Sequence, residues 1–242
     1  MTEAQPVQSV ARTFDVLEAL AAADEALSLG EISRRTGLAA PTAHRLLRAL
    51  QARGYAQQND ARGYRLGSAL IGLGQRATPP LATLAQPALT ELEEVSQETA
   101  NLAVLEGELI AYIAQVPSRH RMRMFTEVGR RVLPHASGVG KAILSTLPEV
   151  RVAEIVARTG LPEYTSSTLT SEEALFADLR ESRRRGFALD DGEQEIGVRC
   201  LAVALPRSNP PAAISISGPA ARMTDAARLI EPLQAAARRL AG

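Results

Sequence analysis

The sequence predicts an α+β protein of two domains: a small helical domain that ends in a two-stranded hairpin, and a larger domain around a mostly antiparallel sheet. Three helical patterns and a hairpin pattern come first, and strand and helix patterns are then mixed to the C-terminus. The chain has 242 residues and is 45% hydrophobic, which is enough for one large core or two small ones. Thr78-Pro79-Pro80 interrupts both patterns, so we expect the domain boundary there.

The first three helices follow from apolar spacing and from residues that start or stop helices. Val10, Phe14, Leu17 and Leu20 recur at helical steps and predict one apolar face of a helix over residues 9–22. A capping box, Ser28-Leu-Gly-Glu31, predicts the start of a short helix that ends at Gly37. A third helix is expected over residues 40–53, with a proline in its first turn.

A hairpin and a fourth helix complete the first domain. Strands are expected over residues 55–58 and 64–66, because the residues between them are rich in turn formers. Residues 66–76 can form a helix with Leu66, Leu70 and Leu73 on one face. That stripe is either a dimer or domain contact, or a buried core stripe.

The second domain mixes helices with short strands, which favours an α+β fold on a mostly antiparallel sheet. Glu106-Gly107-Glu108 separates two apolar runs and indicates a hairpin. Helices are predicted over residues 81–96, 138–147, 149–158, 171–185 and 225–241. Strands are predicted over residues 100–105, 109–116, 121–127, 186–189, 197–205 and 212–217.

Composition and charge exclude several classes of protein. The uncharged runs are too short for the roughly 20 apolar residues of a membrane span, and no secretory signal is evident. A single cysteine, Cys200, excludes an internal disulfide framework and fits a reducing cytoplasm. Aromatic residues make up 3% of the chain, which argues against a stacking platform for single-stranded nucleic acid.

The distribution of charge points to double-stranded DNA as a partner. Between residues 28 and 65 there are seven arginines and two acids, a local net charge of +5 in a chain whose net charge is zero. Helix, short helix, turn, helix and hairpin is the order of a winged helix-turn-helix. The third helix has an apolar back at Ala43, Leu46, Leu47 and Leu50. Its front carries the candidate DNA-binding residues Pro41, Thr42, His44, Arg45 and Arg48.

In the hairpin, Arg62 and Arg65 are expected to rest on phosphates as a wing. The alternative for the whole domain is a protein-interaction module with an arginine-rich surface.

Three local features of the second domain each have a functional and an ordinary explanation. The Gly-rich turn from Pro134 to Lys141 is either an anion site or a tight turn, and its spacing is not that of a P-loop. The acids after Gly186 are either functional or part of a solvated turn. Ser215 and Ser217 share one side of a strand, which is either a pocket wall or a solvent face.

Residues of this domain also suggest two alternative kinds of site, a catalytic site and a metal site. Cys200, His135 and Asp190 could act as nucleophile, base and orienting acid of a small-molecule enzyme. His135, Cys200 and an acid could instead bind a transition metal. Nothing in the sequence shows that these side chains meet, and no established catalytic or zinc motif is present. We therefore expect neither catalysis nor a bound metal, and no cofactor.

Several ordered motifs together resemble the isocitrate-lyase-regulator (IclR) family of bacterial transcription factors, almost end to end. In the first domain these are Leu27-Ser-Leu-Gly-Glu-Ile-Ser-Arg-Arg-Thr-Gly-Leu38, Pro41-Thr-Ala-His-Arg-Leu-Leu47, Gly54-Tyr55 and Tyr64-Arg-Leu-Gly67. In the second they are Leu133-Pro-His-Ala-Ser-Gly-Val-Gly-Lys141, Gly186-Phe-Ala-Leu-Asp-Asp191, Glu195-Ile-Gly-Val-Arg-Cys200 and Ala213-Ile-Ser-Ile-Ser-Gly-Pro219. The resemblance implies a winged helix-turn-helix (7–66), a linker helix (67–78) and a GAF-like α/β effector-binding domain (79–242).

The resemblance also implies an effector pocket for a small organic acid or a related metabolite. Its residues would be Gly138, Val139, Asp190, Cys200, Ser215 and Ser217, with Leu133 and Val198 as apolar walls and Met124 as a looser assignment. Backbone N–H groups and small hydroxyls offer donors to a carboxylate, and no arginine clearly belongs to this set. Val139 stands where the family commonly has Ala or Ser, so the ligand is expected to be smaller or differently shaped.

The expected function is therefore that of a cytoplasmic, ligand-responsive regulator of transcription. By family habit a repressor is favoured over an activator. A homodimer or homotetramer is expected, because one recognition helix reads too few bases.

Overall fold

The computed structural model describes residues 7–122, 127–225 and 227–241. The chain divides into two units, Met1–Thr78 and Pro79–Gly242, each with its own apolar core. The division falls at the paired prolines, which cannot continue a helix or a sheet ladder.

The N-terminal unit is a helix-turn-helix with a short hairpin, as the order of elements predicts. Ser28 begins the second helix by accepting a hydrogen bond from the backbone N–H of Glu31 at 3.2 Å, and Gly37 ends it at φ 68°. The elements are α1 (Gln8–Ala21), α2 (Leu29–Thr36), α3 (Ala40–Ala52), β1 (Ala56–Gln58), β2 (Tyr64–Leu66) and α4 (Ala69–Ala77).

One helix of this unit turns a different face to the core from the one that the spacing predicts. In α1 the buried residues are Val16 and Leu20, whereas Val10 and Phe14 are 50% and 57% exposed. The predicted face is therefore wrong for its first half. Apolar periodicity detects a stripe along a helix, but only the position of α2 and α3 decides which residues are covered.

The hairpin is fixed to the helices by backbone hydrogen bonds. Leu27, which precedes α2, forms two backbone hydrogen bonds with Tyr64 of β2, with N···O distances of 2.9 and 2.7 Å. Because Tyr64 is also buried among Val16, Ile32, Ala43 and Leu47, the hairpin and the helices share one core.

The C-terminal unit is built on an antiparallel sheet, as predicted. Among the described residues its strand order is β5-β4-β3-β8-β7-β6, and each neighbouring pair is antiparallel. The helices are α5 (Pro80–Ser96), α6 (Gly138–Leu144), α7 (Glu149–Thr159), α8 (Glu172–Arg185) and α9 (Ala227–Leu240). The strands are β3 (Thr99–Glu106), β4 (Leu109–Val116), β5 (Arg131–Val132), β6 (Ala188–Asp191), β7 (Val198–Ala204) and β8 (Ala212–Pro219).

Helices cover both faces of this sheet. Leu201 and Ile216 lie on the face that packs against α5 and α9. Ala202 and Ala213 lie on the opposite face, toward α6, α7 and α8. Because side chains alternate along a strand, Cys200, Ser215 and Ser217 lie on the same face as Ala202 and Ala213. The small residues of β7 and β8 thus leave room under α6.

Four predicted elements differ from the structure. The predicted helix 66–76 begins at Ala69, because Leu66 is the last residue of β2 and is not part of the apolar stripe of the helix. Residues 123–126 of the predicted strand 121–127 lie outside the described residues, its described ends are not strand, and the edge strand is β5 instead. The predicted strand 186–189 begins at Ala188, because Gly186 ends α8 in the left-handed conformation. The predicted helix 138–147 ends at Leu144.

Helix α6 is anchored by a buried lysine. Lys141 is fully buried, and its Nζ lies 2.5 Å from Glu193 Oε1 and 3.2 Å from Asp178 Oδ2. Glu193 belongs to the loop between β6 and β7, and Asp178 to α8. A buried charge requires such partners, so this contact joins α6, α8 and the loop.

We expect Lys141→Met to destabilise the C-terminal unit by about 3–5 kcal/mol, because it leaves two carboxylates without their buried cation. Chemical denaturation monitored by circular dichroism measures the change, with Arg151→Met, which breaks the exposed pair with Glu154, as the control. Burial raises the pKa of Glu193 to about 7. The difference from wild type should therefore shrink at pH ~5, where that carboxyl is protonated. Equal stability of the two variants would contradict the assignment.

Candidate functional site

Helix α3 presents a polar, basic face to solvent. Ala43, Leu47 and Leu50 are buried and Leu46 is half-buried, which places the apolar back as predicted. On the other side Pro41, His44, Arg45 and Arg48 are exposed and Thr42 is half-buried. This arrangement suits a helix that packs on its own domain while its front enters a groove.

The arginines of this unit differ in whether they are already paired. Arg34 and Arg35 of α2 both contact the carboxylate of Glu31. In the described part of the chain, no carboxylate lies within 4 Å of Arg45, Arg48, Arg62 or Arg65. The cations of α3 and the hairpin therefore remain available to phosphates.

The tip of the hairpin holds its arginines outward. Asn59 closes the turn, because its N–H donates to Gly63 O at 2.9 Å and its Oδ1 accepts from Gly63 N at 2.7 Å. Arg62 lies in the left-handed region at φ 62°, and its carbonyl accepts from Gln58 Nε2 at 3.1 Å. Arg62 and Arg65 are both exposed.

The C-terminal unit contains a small, partly open cavity of about 20 Å³ between the start of α6 and the sheet. Five of the residues predicted for the effector pocket line it: Gly138, Asp190, Val198, Cys200 and Ser217. Gly138 is required there because a Cβ on it would meet Cys200 Sγ at 2.7 Å. The space is that of about one water molecule, so a ligand must widen it.

Three other predicted pocket residues do not line this cavity, and the fourth lies outside the described residues. Ser215 lies two residues before Ser217 on the same face of β8 and is fully buried. Its hydroxyl accepts a hydrogen bond from Asn101 Nδ2 at 3.5 Å. Val139 packs into the core with α7 and α8, because it lies about 100° around the helix from Gly138. Leu133 is half-buried and its neighbour Val132 lines the cavity instead. Met124 lies outside the described residues.

The cavity also has walls that sequence reasoning missed: Tyr112, Arg130, Val132, Ser137 and Gln194. Ser137 lies within the Gly-rich turn from Pro134 to Lys141, and Gln194 directly precedes the motif that begins at Glu195, so a sequence signal marks the region of both. Tyr112 and Arg130 belong to β4 and to the connection before β5. No local pattern marks them, because they reach the cavity only through strand pairing.

The electrostatics of the cavity come from burial. Asp190 Oδ1 accepts from the N–H of Glu193 at 2.8 Å, and burial raises the pKa of Asp190 to about 6. Burial likewise raises the pKa of the Cys200 thiol to about 12. Ser215 and Ser217 are buried beside Asn101, so they are not a solvent face. The cavity thus holds hydroxyls, a protonated thiol and an acid whose pKa is raised toward neutral pH.

The nucleophile, base and acid of the enzyme alternative do not assemble. His135 is buried, with its Nε2 3.0 Å from Pro162 O, and its Nδ1 has no partner among the described residues. The Cys200 thiol is protonated at neutral pH and is a poor nucleophile. Over the described ranges, no group of three or more His, Cys, Asp or Glu side chains is arranged to hold a metal ion.

A larger open groove, of about 670 Å³, lies between the end of α6 and the end of α8. Its cation, Arg183, is already engaged, since its Nε donates to Ser145 O at 2.7 Å. None of the predicted site residues lines this groove. Across the described segments, no helix has the length and apolar character needed to cross a bilayer.

Comparison with known proteins matches both units. The model for the C-terminal domain of the bacterial transcriptional regulator IclR matches residues 77–241. The model for the IclR helix-turn-helix domain matches residues 9–60.

Individual relatives match along the whole chain. The chain is 38% identical over 226 residues to the transcriptional repressor IclR of Escherichia coli, covering 90% of this chain and 82% of that protein. It is similar to an IclR transcriptional regulator from Alicyclobacillus acidocaldarius, with a TM-score of 0.82, 26% identity and 98% of each chain covered. It is also similar to an IclR homologue from Microbacterium hydrocarbonoxydans complexed with 4-hydroxybenzoate, with a TM-score of 0.80, 27% identity and coverage of 96% and 97%.

We expect Arg45 to read a base. Its exposed position near the start of α3 lets the guanidinium reach a base edge, so Arg45→Ala should cost about 1–3 kcal/mol and relax specificity at one position per half-site. Competition gel shifts with specific and scrambled duplexes give the ratio, with Arg238→Ala on α9 as the control. A specificity ratio equal to that of wild type would refute the role.

We expect Arg62 and Arg65 to contact phosphates only. At a hairpin tip, long side chains reach the backbone of the duplex, so alanine at either position should weaken all sequences alike and reduce the salt slope by about one unit. Binding isotherms at several salt concentrations, together with a binding-site selection, test this. A loss confined to particular sequences would count against it.

Proposed function

The chain belongs to the IclR family of bacterial transcriptional regulators, and we propose that it is a repressor that binds operator DNA with α3 and the hairpin and responds to a small organic acid in the cavity under α6. The observation that carries the proposal is the exposed basic face of α3, whose arginines lack carboxylate partners among the described residues.

The DNA-binding part of the proposal uses two kinds of contact. Arg45 and Arg48 lie on the front of α3, where forked guanidinium groups fit guanine in the major groove. Arg62 and Arg65 extend from a hairpin that is hydrogen-bonded to the helices, so they fix the position of the domain on the phosphates. Thr42 and His44 add hydrogen-bonding groups at the start of the same helix.

We propose that two or more copies of the chain act together. A single recognition helix reads only a few base pairs, and paired helices match the two halves of a palindromic operator. Helix α4 supports this proposal, because Ile71 and Leu73 are 64% and 52% exposed and no residue of the helix is buried. An apolar helix face that its own chain leaves uncovered is suited to a second copy.

The effector part of the proposal depends on the chemistry of the cavity. Ser137 and Ser217 provide hydroxyls, Gly138 lets a ligand approach the backbone, and Val132 and Val198 provide apolar surface. The related protein that is complexed with 4-hydroxybenzoate supports an organic acid as the ligand. Because the cavity holds about 20 Å³, we propose that the effector stabilises a wider form of this unit.

We further propose that the widening is transmitted through a linker helix over residues 67–78 and changes the affinity for DNA. Coupling of this kind requires the effector to favour one of two arrangements of the domains. A cytoplasmic location is part of the proposal, because operator DNA and metabolic acids are both found there.

Two measurements on the purified chain test the function. Thermal shift against small organic acids identifies ligands, since a ligand at about 100 times its Kd adds roughly 2.7 kcal/mol of stability. Gel shifts with the DNA upstream of the chain's own gene and its neighbours then show whether the same acid releases the DNA. Acids that bind without any effect on DNA affinity would contradict regulation by the cavity.

We expect the double change Ser215→Ala plus Ser217→Ala to weaken the effector response at least tenfold. Ser217 lines the cavity and Ser215 shares Asn101 Nδ2 with it, and each neutral hydrogen bond lost costs about 0.5–1.5 kcal/mol. DNA affinity should be nearly unchanged because the serines lie in the other unit. The measurement is operator binding across an effector titration. Ser96→Ala, which removes a buried hydroxyl on α5, controls for a general loss of stability. An unchanged midpoint would place the effector elsewhere.

A further inference from the structure

Two arginines of the helix that precedes the recognition helix are held by one carboxylate. Glu31 of α2 contacts Arg34 through its Oε2, and its Oε1 accepts from Arg35 Nε at 3.0 Å. Hydrogen bonds from Arg35 and then Arg34 hold the pKa of Glu31 below its usual range, so the carboxylate is charged at neutral pH. Both oxygens of Glu31 are therefore engaged by cations that lie about one turn further along the same helix.

This use of Glu31 differs from the capping box that the sequence predicts. The first half of the box is present, because Ser28 Oγ accepts from the N–H of Glu31 at 3.2 Å. In the second half, the carboxylate of Glu31 would accept from the N–H of Ser28. The described hydrogen bonds of that carboxylate come from Arg34 and Arg35 instead. The side chain of Glu31 therefore pairs charges of the DNA-binding unit and does not cap α2.

The paired arginines lie on the helix of this unit that is suited to sequence-independent contacts. The first helix of a helix-turn-helix crosses the DNA backbone, while the second enters the groove. The side chains of Arg34 and Arg35 are 73% and 39% exposed. A cation that contacts a phosphate adds affinity for every sequence and about 0.9 to the slope of log K against log salt. The negative charge of Glu31 opposes such contacts by α2.

We propose that Glu31 determines specificity, because it keeps Arg34 and Arg35 from binding phosphates and so limits the affinity for DNA of any sequence. The inference rests on the proposed binding of operator DNA. In a non-specific complex the domain takes any position that brings free cations to phosphates. In the operator complex α3 and the hairpin fix the position of the domain, so α2 gains fewer contacts. Glu31 thus weakens non-specific binding more than operator binding.

The first test is Glu31→Gln in the full chain. The DNA probes are the upstream fragment that wild type prefers and a scrambled duplex of equal length. Gln has nearly the size of Glu, so α2 is retained, and circular dichroism checks this. At about 0.1 M salt the Kd for the scrambled duplex should fall roughly ten- to fiftyfold, and its salt slope should steepen by about one to two units. The Kd for the preferred fragment should change by about threefold or less.

The matched control is Glu18→Gln on α1, an exposed glutamate of the same unit. Among the described residues, no cation lies within 4 Å of the Glu18 carboxylate. The control changes the net charge equally without releasing an arginine, so both Kd values should stay within about twofold of wild type. Equal effects of the two variants would make Glu31 part of the general charge of the unit and would overturn the proposal. So would an unchanged salt slope in Glu31→Gln.

Arg34→Gln distinguishes release of an arginine from a change of net charge. If Glu31 holds Arg34, the substitution should alter the salt slope for the scrambled duplex by less than about half a unit in wild type. In the Glu31→Gln background it should reduce that slope by about one unit. Equal changes in both backgrounds would show that the two residues act independently, which contradicts the proposal.

The wild-type measurements separate this inference from the proposed function. If wild type binds no upstream fragment better than the scrambled duplex, the proposed operator binding fails and this inference fails with it. If wild type binds specifically and Glu31→Gln has the same ratio of the two affinities, the inference alone is contradicted.

Discussion

The cavity of the C-terminal unit depends on the buried contact between Lys141 and two acids. Lys141 cannot be buried alone, and Glu193 and Asp178 bring the β6–β7 loop and α8 to it. The same loop carries Gln194, and Asp190 lies at the end of β6 directly before it. Further hydrogen bonds hold it in place, since Thr165 Oγ1 donates to Gly192 O and Thr168 Oγ1 to Glu193 O, both at 2.6 Å. The positions of Asp190 and Gln194 at the cavity thus follow from the ion pairs that Glu193 and Asp178 form with the buried Lys141.

Because side chains alternate along the strands, the residues that pack against α5 and α9 and the residues that line the cavity lie on opposite faces of the sheet. On β7 and β8, Leu201, Val203, Ile214 and Ile216 face α5 and α9, whereas Cys200, Ala202, Ser215 and Ser217 face α6. Glycine at 138 and 140 lets the start of α6 approach so closely that a Cβ would meet Cys200 Sγ or Pro134 O. The small volume of the cavity follows from this close approach.

Pairing of charges also organises the N-terminal unit. Glu31 engages Arg34 and Arg35, whereas the arginines of α3 and the hairpin have no described carboxylate partner. The chain is neutral overall, so the positive charge that attracts DNA is a local feature of this unit. The arginines near the cavity differ in the same way, since Arg131 pairs with Glu106 and Arg130 has no carboxylate partner among the described residues.

The sequence by itself determined the two-domain α+β class, the family, the basic face of α3 and most boundaries of helices and strands, because these depend on local spacing and local capping. It also indicated Gly138, Asp190, Cys200 and Ser217, which lie in motifs. It did not indicate Arg130, Tyr112 or Gln194 as cavity walls, nor that Phe14 is exposed and Val139 belongs to the core. Only the tertiary structure decided these points. They depend on which strands pair and which helix face is covered, and those contacts join residues far apart in the chain, where no local period records them.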